Sequence, residues 1–259
     1  MKIGIIGAGV FGTALGDILK TNDHEVIYYD PIIEQSNLKD VLERSELVIF
    51  AAPSEVSDDI LANVPASMPL VIASKGFLSL DSFAKFENWM VLAGVGFADD
   101  IKAHKPTKFT ITDNLLSELF TADYISFDFT DDRLGVLICG ALKNVYAMIA
   151  GYNKLSKDSE AWKRFIADAS DEIRSILALN SADEETFSLA CGLNDLELTC
   201  GFPSRNYEFG QTLAEGSDRT PNRTIEGISA LRQIRDGVID LPDSAVILKT
   251  FLKEVDGLK

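Results

Sequence analysis

The first half of the chain alternates short apolar runs with helix-like stretches. The runs are "KIGII", "EVIYYD", "LVIFAAP", "PLVIAS" and "MVLAG"; "KFTIT" and "YISFDF" follow, with a helical "NLLSELF" between them. Short runs that are apolar on both faces, alternating with helices, predict the strands of a parallel, doubly wound α/β sheet. The pattern changes near Asp131. "WKRFIADASDEIRSILALN", "TIEGISALRQIRDG" and "DSAVILKTFLKEV" carry apolar residues at helical spacing, and no strand-like alternation follows Phe129. Two domains are expected: residues 1–131 around the sheet and residues 132–259 all helical.

The boundary runs straight into Leu134–Ala150, almost unbroken apolar residues and glycine, in which Lys143 is the only full charge. A buried amine without partners is costly, so a lysine there needs a use. The stretch is long enough to test as a membrane span. A central lysine costs about 2.5–3.5 kcal/mol on insertion scales, and nothing else in the chain supports a membrane protein. A buried core helix is expected.

The turn after the first run reads "GAGVFG", placing Gly7, Gly9 and Gly12 in G-x-G-x-x-G spacing between a strand and a helix. That context is the one a dinucleotide pyrophosphate requires: a tight turn, close backbone approach, close helix–strand packing, and free N–H groups at the helix start. Asp30 ends the second run. A carboxylate there accepts hydrogen bonds from ribose hydroxyls and repels a 2′-phosphate, which favours NAD over NADP. Glu34 follows it, and the next basic residues are Lys39 and Arg44.

Charge narrows the partners. The hydrophobic fraction is 46%, and the formal net charge of −16 argues against nucleic acid and anionic membranes. An anionic ligand must find a local cluster of lysine, arginine and backbone N–H groups. Cys139, Cys191 and Cys200 show no metal-site spacing and read as reduced thiols of a cytoplasmic protein. The N-terminus lacks a signal-peptide pattern.

Polar residues gather in three further places. Lys75, in "SKG", follows the fourth strand and faces the ligand side of such a sheet, and "GVGFA" (Gly94–Ala98) follows the fifth. "GLNDLELTCGFPSRNYEFG" (Gly192–Gly210) is dense in turns and polar groups, including Asp195, Thr199, Arg205 and Asn206. Arg205 can hold a phosphate in a bidentate fork. His24 and His104 form no catalytic arrangement, and no metal site stands out.

With "GAGVFGTAL", "AAPSEV", "SKG", "GVGFA", "GALKNVYAMIAG", "TFSLACGLNDLELTC", "SRNYEFG" and "TIEG" in order, the chain resembles the nicotinamide-dependent glycerol-3-phosphate dehydrogenases of the bacterial type. The resemblance implies a Rossmann domain followed by a helical domain. It implies hydride transfer between the cofactor and dihydroxyacetone phosphate or glycerol 3-phosphate, supplying glycerophospholipid synthesis, and a possible homodimer. Lys143 would be the catalytic acid/base, assisted by Lys75 and Asp195. Lys75, Gly94, Gly96, Asn144, Thr199, Ser204, Arg205 and Asn206 would meet substrate. Gly7, Gly9, Val10, Phe11, Gly12, Asp30, Pro53, Lys75, Ala98, Arg205 and Glu226 would line the cofactor site.

Three departures bear on substrate affinity rather than reaction type. Gly94-Val95-Gly96-Phe97 stands where the family has Gly-Pro-Ser/Thr-Phe, so a hydroxyl is missing. The stretch between Asp30 and Leu47 and the C-terminal tail are short, and Asn194 replaces a small residue. A sister Rossmann-plus-helical reductase acting on another small acid would share many of these features. A non-catalytic nucleotide sensor would keep "GAGVFG" but has no use for Lys143, Asp195 and Arg205.

Overall fold

Parallel strands must be buried on both faces, and the apolar runs meet that demand. A computed structural model describes residues 1–33, 36–77, 79–96, 98–216 and 224–255, so Glu34 and Phe97 lie outside the described residues. The chain divides into two units, residues 1–75 with 80–133, and residues 76–79 with 134–259.

The first unit runs β1 (Lys2–Ile6), α1 (Val10–Thr21), β2 (Glu25–Tyr29), α2 (Leu38–Arg44), β3 (Leu47–Phe50), α3 (Ser57–Leu61), β4 (Leu70–Ile72), β5 (Trp89–Val95), α4 (Ala98–Lys102), β6 (Thr107–Ile111), α5 (Leu115–Leu119) and β7 (Ile125–Phe129). The strands form one sheet in the order β2-β1-β3-β4-β5-β6-β7. The topological switch lies between β1 and β3, where Ile3 pairs with both Val26 and Leu47. Buried Leu15, Ile18 and Leu19 recur on one face of α1 and close over Ile3, Ile5, Leu47 and Ile49. At about 1.5–3 kcal/mol per buried side chain of this size, that face holds the helix on the sheet.

One feature departs from the fully parallel expectation. β6 runs antiparallel to β5, with Leu92 opposite Ile111, while β6 and β7 are again parallel. The single short helix α4 between Val95 and Thr107 cannot carry the chain back along the sheet, as a parallel neighbour would require.

The second unit is helical among its described residues: α6 (Arg133–Tyr152), α7 (Glu160–Leu179), α8 (Asp195–Thr199), α9 (Arg205–Ala214), α10 (Glu226–Arg235) and α11 (Val246–Glu254). Every residue of α6 from Gly135 to Gly151 is buried, which explains why it is apolar all round. The helix is long and apolar enough to cross a membrane, yet 94% of its most apolar window is covered by the protein itself. All three cysteines are buried and outside any disulfide.

A buried carboxylate ties three of these helices together. Glu172 of α7, 5% exposed, accepts from the Tyr146 hydroxyl of α6 at 2.8 Å and from the Ile247 and Leu248 amides at 2.6 and 3.2 Å. Those amides belong to the first turn of α11, where a negative charge also suits the helix dipole. The hydroxyl beside that carboxylate is buried, and its pKa is pushed well above its ordinary value by burial first and the Glu172 charge second. Replacing Glu172 with alanine strands these donors, each worth about 1–3 kcal/mol when left unsatisfied. A loss of about 2–3 kcal/mol is expected, read as a fall in Tm of roughly 4–12 °C. An unchanged melting curve would show that the carboxylate is not a structural hub.

Candidate active site

The glycine turn has the geometry of an anion cradle. Gly7 sits at φ +100°, and a side chain there would press on the Ala51–Ala52 backbone at the end of β3. A Cβ on Gly12 would lie 2.0 Å from the Gly7 carbonyl oxygen, so only glycine lets α1 pack this close. Gly9 is different: a Cβ there meets nothing within 4 Å. The space in front of Gly9 is open, and as N-cap it offers α1 no side-chain acceptor. The first-turn amides of α1 are thus left for an anion. Val10 is exposed and Phe11 half-buried on that turn.

Asp30 completes the cradle. Its Oδ2 accepts from the Ala8 amide at 2.8 Å and its Oδ1 from the Ile32 amide at 3.0 Å. The carboxylate therefore holds the glycine turn and the loop after β2 at once. Each oxygen retains a further lone pair for a ribose hydroxyl. The two basic residues that could answer a 2′-phosphate are paired elsewhere, Lys39 with Glu43 at 3.7 Å and Arg44 with Glu25 at 3.5 Å. These residues fit a bound dinucleotide, which when present supplies or accepts the hydride.

The other predicted residues of the first unit lie at the same sheet edge. Pro53 follows β3 and caps a short 3-10 turn. Lys75 follows β4; its Nζ donates to the Gly94 carbonyl at 3.1 Å and stands 5.9 Å from the Phe11 ring centre. Ala98 opens α4. Gly94, at φ +142°, has the Lys108 carbonyl 2.5 Å from where a Cβ would be. Gly96 has no such φ restriction, but a Cβ there would sit 3.0 Å from Thr107 Cγ2. Restoring a hydroxyl at Gly96 therefore requires Thr107 to give way.

In the second unit, Lys143 finds the partners its burial demands. Its Nζ donates to Asp195 Oδ1 at 2.6 Å and to Thr199 Oγ1 at 3.1 Å. The three residues are 5%, 1% and 4% exposed. The Thr199 hydroxyl in turn donates to the Asp195 carbonyl at 2.6 Å. An opposite charge at hydrogen-bond distance favours the ammonium form and fixes its direction. Asp195 reaches this position because the chain turns sharply at Gly192, where a Cβ would lie 2.0 Å from the Phe187 carbonyl.

Asn144 and Asn206 clamp helices. The Asn206 amide donates to Asn144 Oδ1 at 2.9 Å, and its oxygen accepts from the Gly227 amide in the first turn of α10 at 3.0 Å. Asn144 also donates to the Gly140 carbonyl at 3.1 Å. Ser204 caps α9, its hydroxyl accepting from the Tyr207 amide. Arg205 is exposed at the first residue of α9 and makes no ion pair among the described residues. Glu226 opens α10.

The surroundings of two residues in this unit were not read from the sequence. Cys200 adjoins the ion pair, and its thiol is pushed up by burial, against the pull of Lys143, so it stays protonated and inert. Glu172 had a signal: it shares a helix face with Phe165, Ala169, Ile173 and Ile176.

A doubly wound sheet with an open glycine cradle, joined in one chain to a helical unit built around a buried lysine–aspartate pair, defines a nicotinamide-dependent dehydrogenase. The family description "NAD-dependent glycerol-3-phosphate dehydrogenase C-terminus" matches residues 132–249. Glycerol-3-phosphate dehydrogenase (NAD(P)+) of Leptospira biflexa is 30% identical over 288 residues, covering 92% of this chain and 85% of the relative. That of Neorickettsia sennetsu is 27% identical, covering 90% and 83%. The crystal structure of glycerol-3-phosphate dehydrogenase from Coxiella burnetii shares the fold, with a TM-score of 0.80 at 23% identity over 98% of this chain and 95% of that one. A ketopantoate reductase from Ralstonia eutropha shares it more loosely, with a TM-score of 0.59 at 18% identity, covering 100% and 99% of the two chains. The chain belongs to the NAD(P)-dependent glycerol-3-phosphate dehydrogenase family. It is an oxidoreductase acting on dihydroxyacetone phosphate and glycerol 3-phosphate.

The cradle separates two roles of glycine. Gly9→Ala should leave the melting curve within about 1 °C of wild type, since nothing opposes the new methyl, while NADH binding weakens. Gly12→Ala should destabilise the protein itself. Comparable stability loss in both variants would contradict this reading.

Proposed function

We propose that Lys143 is the proton donor to the substrate ketone and that this chain prefers NADH. As dihydroxyacetone phosphate is reduced, negative charge develops on its carbonyl oxygen. An ammonium held in a dry site stabilises that charge and donates the proton. Asp195 and Thr199 aim the amine, and Asp195 offsets its desolvation. The single observation that carries this reading is the buried 2.6 Å contact between Lys143 and Asp195. Arg205, exposed at a helix start, suits the phosphate, and Thr199 is a further polar group of the same unit for a small anionic substrate. Asn144 and Asn206 act by fixing α6, α9 and α10 around the lysine.

The cofactor preference rests on Asp30, on the pairing of Arg44 and Lys39 with glutamates, and on repulsion of a 2′-phosphate by a carboxylate. Buried thiols outside any disulfide support a cytoplasmic setting, where glycerol 3-phosphate feeds glycerophospholipid synthesis.

Steady-state oxidation of NADH and NADPH with dihydroxyacetone phosphate tests both parts. NADH should be favoured by about tenfold or more in kcat/KM, equivalent to roughly 1.4 kcal/mol. Asp30→Asn keeps an acceptor for the Ala8 amide, gives up the one for Ile32 and removes the charge, so the NADH/NADPH ratio should fall. Equal or better kcat/KM with NADPH in the wild-type enzyme contradicts the preference, and no turnover of dihydroxyacetone phosphate contradicts the substrate.

A further inference from the structure

Ser74 lies at the carboxyl end of β4, one residue before Lys75. It is 8% exposed, and its side-chain oxygen has no hydrogen-bond partner among the described residues. Buried hydroxyls are almost always paired, because an unpaired one forfeits its hydrogen bonds to water. An orphan at this place has a physical meaning that an orphan elsewhere in the core would lack.

The place is set by the sheet. The Ala73 amide still bonds the Phe50 carbonyl at 2.9 Å, so β4 stays beside β3 up to the residue before Ser74. On the other side Lys75 reaches the Gly94 carbonyl at the end of β5. Ser74 therefore sits among the carboxyl ends of three adjacent strands, the edge at which doubly wound sheets bind ligands. Asp30 marks the adenosine ribose at the end of β2, and the turn after β1 marks the pyrophosphate. β4 stands three strand spacings from β2, about 14 Å away. A dinucleotide laid across the edge from β2 past β1 brings its nicotinamide half over β3 and β4.

We propose that the Ser74 hydroxyl is a contact for the nicotinamide nucleoside half of the cofactor, pairing with a ribose hydroxyl or the carboxamide. The inference rests on the dehydrogenase reading of this sheet edge. Without cofactor the hydroxyl is buried and unsatisfied; with cofactor it gains its partner. Ser74 thereby stores in the free enzyme a small destabilisation that nucleotide binding relieves, and it helps fix the ring beside Lys75.

The test is Ser74→Ala, read in two ways that a purely structural serine would not separate. The melting temperature of the nucleotide-free protein should be unchanged or higher, since an unsatisfied group has been removed. The Kd for NADH, from fluorescence titration, should rise about three- to tenfold, the worth of one neutral hydrogen bond. AMP, which reports the adenosine half alone, should bind within about twofold of wild type. A loss shared by ADP-ribose places the partner on the nicotinamide ribose, and a loss confined to NADH places it on the carboxamide. Either result supports the proposal. A lower melting temperature shows that Ser74 is already satisfied, and equal NADH affinity shows that the cofactor does not use it; each overturns the proposal. An equal loss of AMP and NADH affinity overturns it too. Failure of the wild-type protein to bind NADH would instead remove the dehydrogenase reading beneath it.

Discussion

Burial of the Lys143 ammonium constrains the helical unit more than any other feature. A bare charge in that position is untenable, so the chain must deliver a carboxylate to it and hold it there. It does so with the sharp turn at Gly192 and the start of α8, which bring Asp195 to 2.6 Å. Thr199, one helical turn on, bonds both the lysine and the Asp195 carbonyl. The stretch Gly135–Gly151 of α6 can be wholly internal because its single charge, Lys143, is met in this way. Glu172 and the Asn144–Asn206 pair then fix α6 against α7, α9, α10 and α11. A buried pair of this kind contributes little net stability; its value lies in a fixed geometry, which the proposed proton transfer to a substrate oxygen would use.

The sheet unit solves a different electrostatic problem. The protein carries a net charge of −16 and must still bind a doubly anionic pyrophosphate. Backbone dipoles are the groups suited to this, with the start of α1 lacking a side-chain cap and the space in front of Gly9 open. Asp30, the acidic group that braces this turn, is occupied on each oxygen by an amide, at Ala8 and at Ile32. It braces the glycine turn while keeping its charge, which in the proposed function sorts one dinucleotide from the other.

Much of this was legible in the sequence, and what was not has a physical reason. Seven apolar runs became seven strands because a parallel sheet buries both faces. The direction of β6 was not legible, since an apolar run carries no sense of direction and only the short α4 connection sets it. Lys143 stood out because its neighbours are apolar; its pairing with Asp195 spans fifty-two positions and is a tertiary fact. Glu172 was hidden because periodicity counts apolar residues, and a carboxylate on the buried face reads as surface. Asn144 and Asn206 carry the polar signature of substrate ligands, whereas the hydrogen bonds they make across α6, α9 and α10 are tertiary facts that spacing does not carry. The missing hydroxyl at Gly96 was visible, whereas its obstruction by Thr107 was not.

The central claim is that the buried lysine carries the proton. The most direct measurement is single-turnover reduction of dihydroxyacetone phosphate by the Lys143→Ala variant, with its melting curve and NADH affinity measured alongside. The account predicts a folded protein that binds NADH as the wild type does, with the chemical step slowed about 10²–10⁴-fold or more. A folded, NADH-binding variant that retains more than roughly a tenth of the wild-type rate would contradict it, because general acid catalysis by a residue is worth more than that.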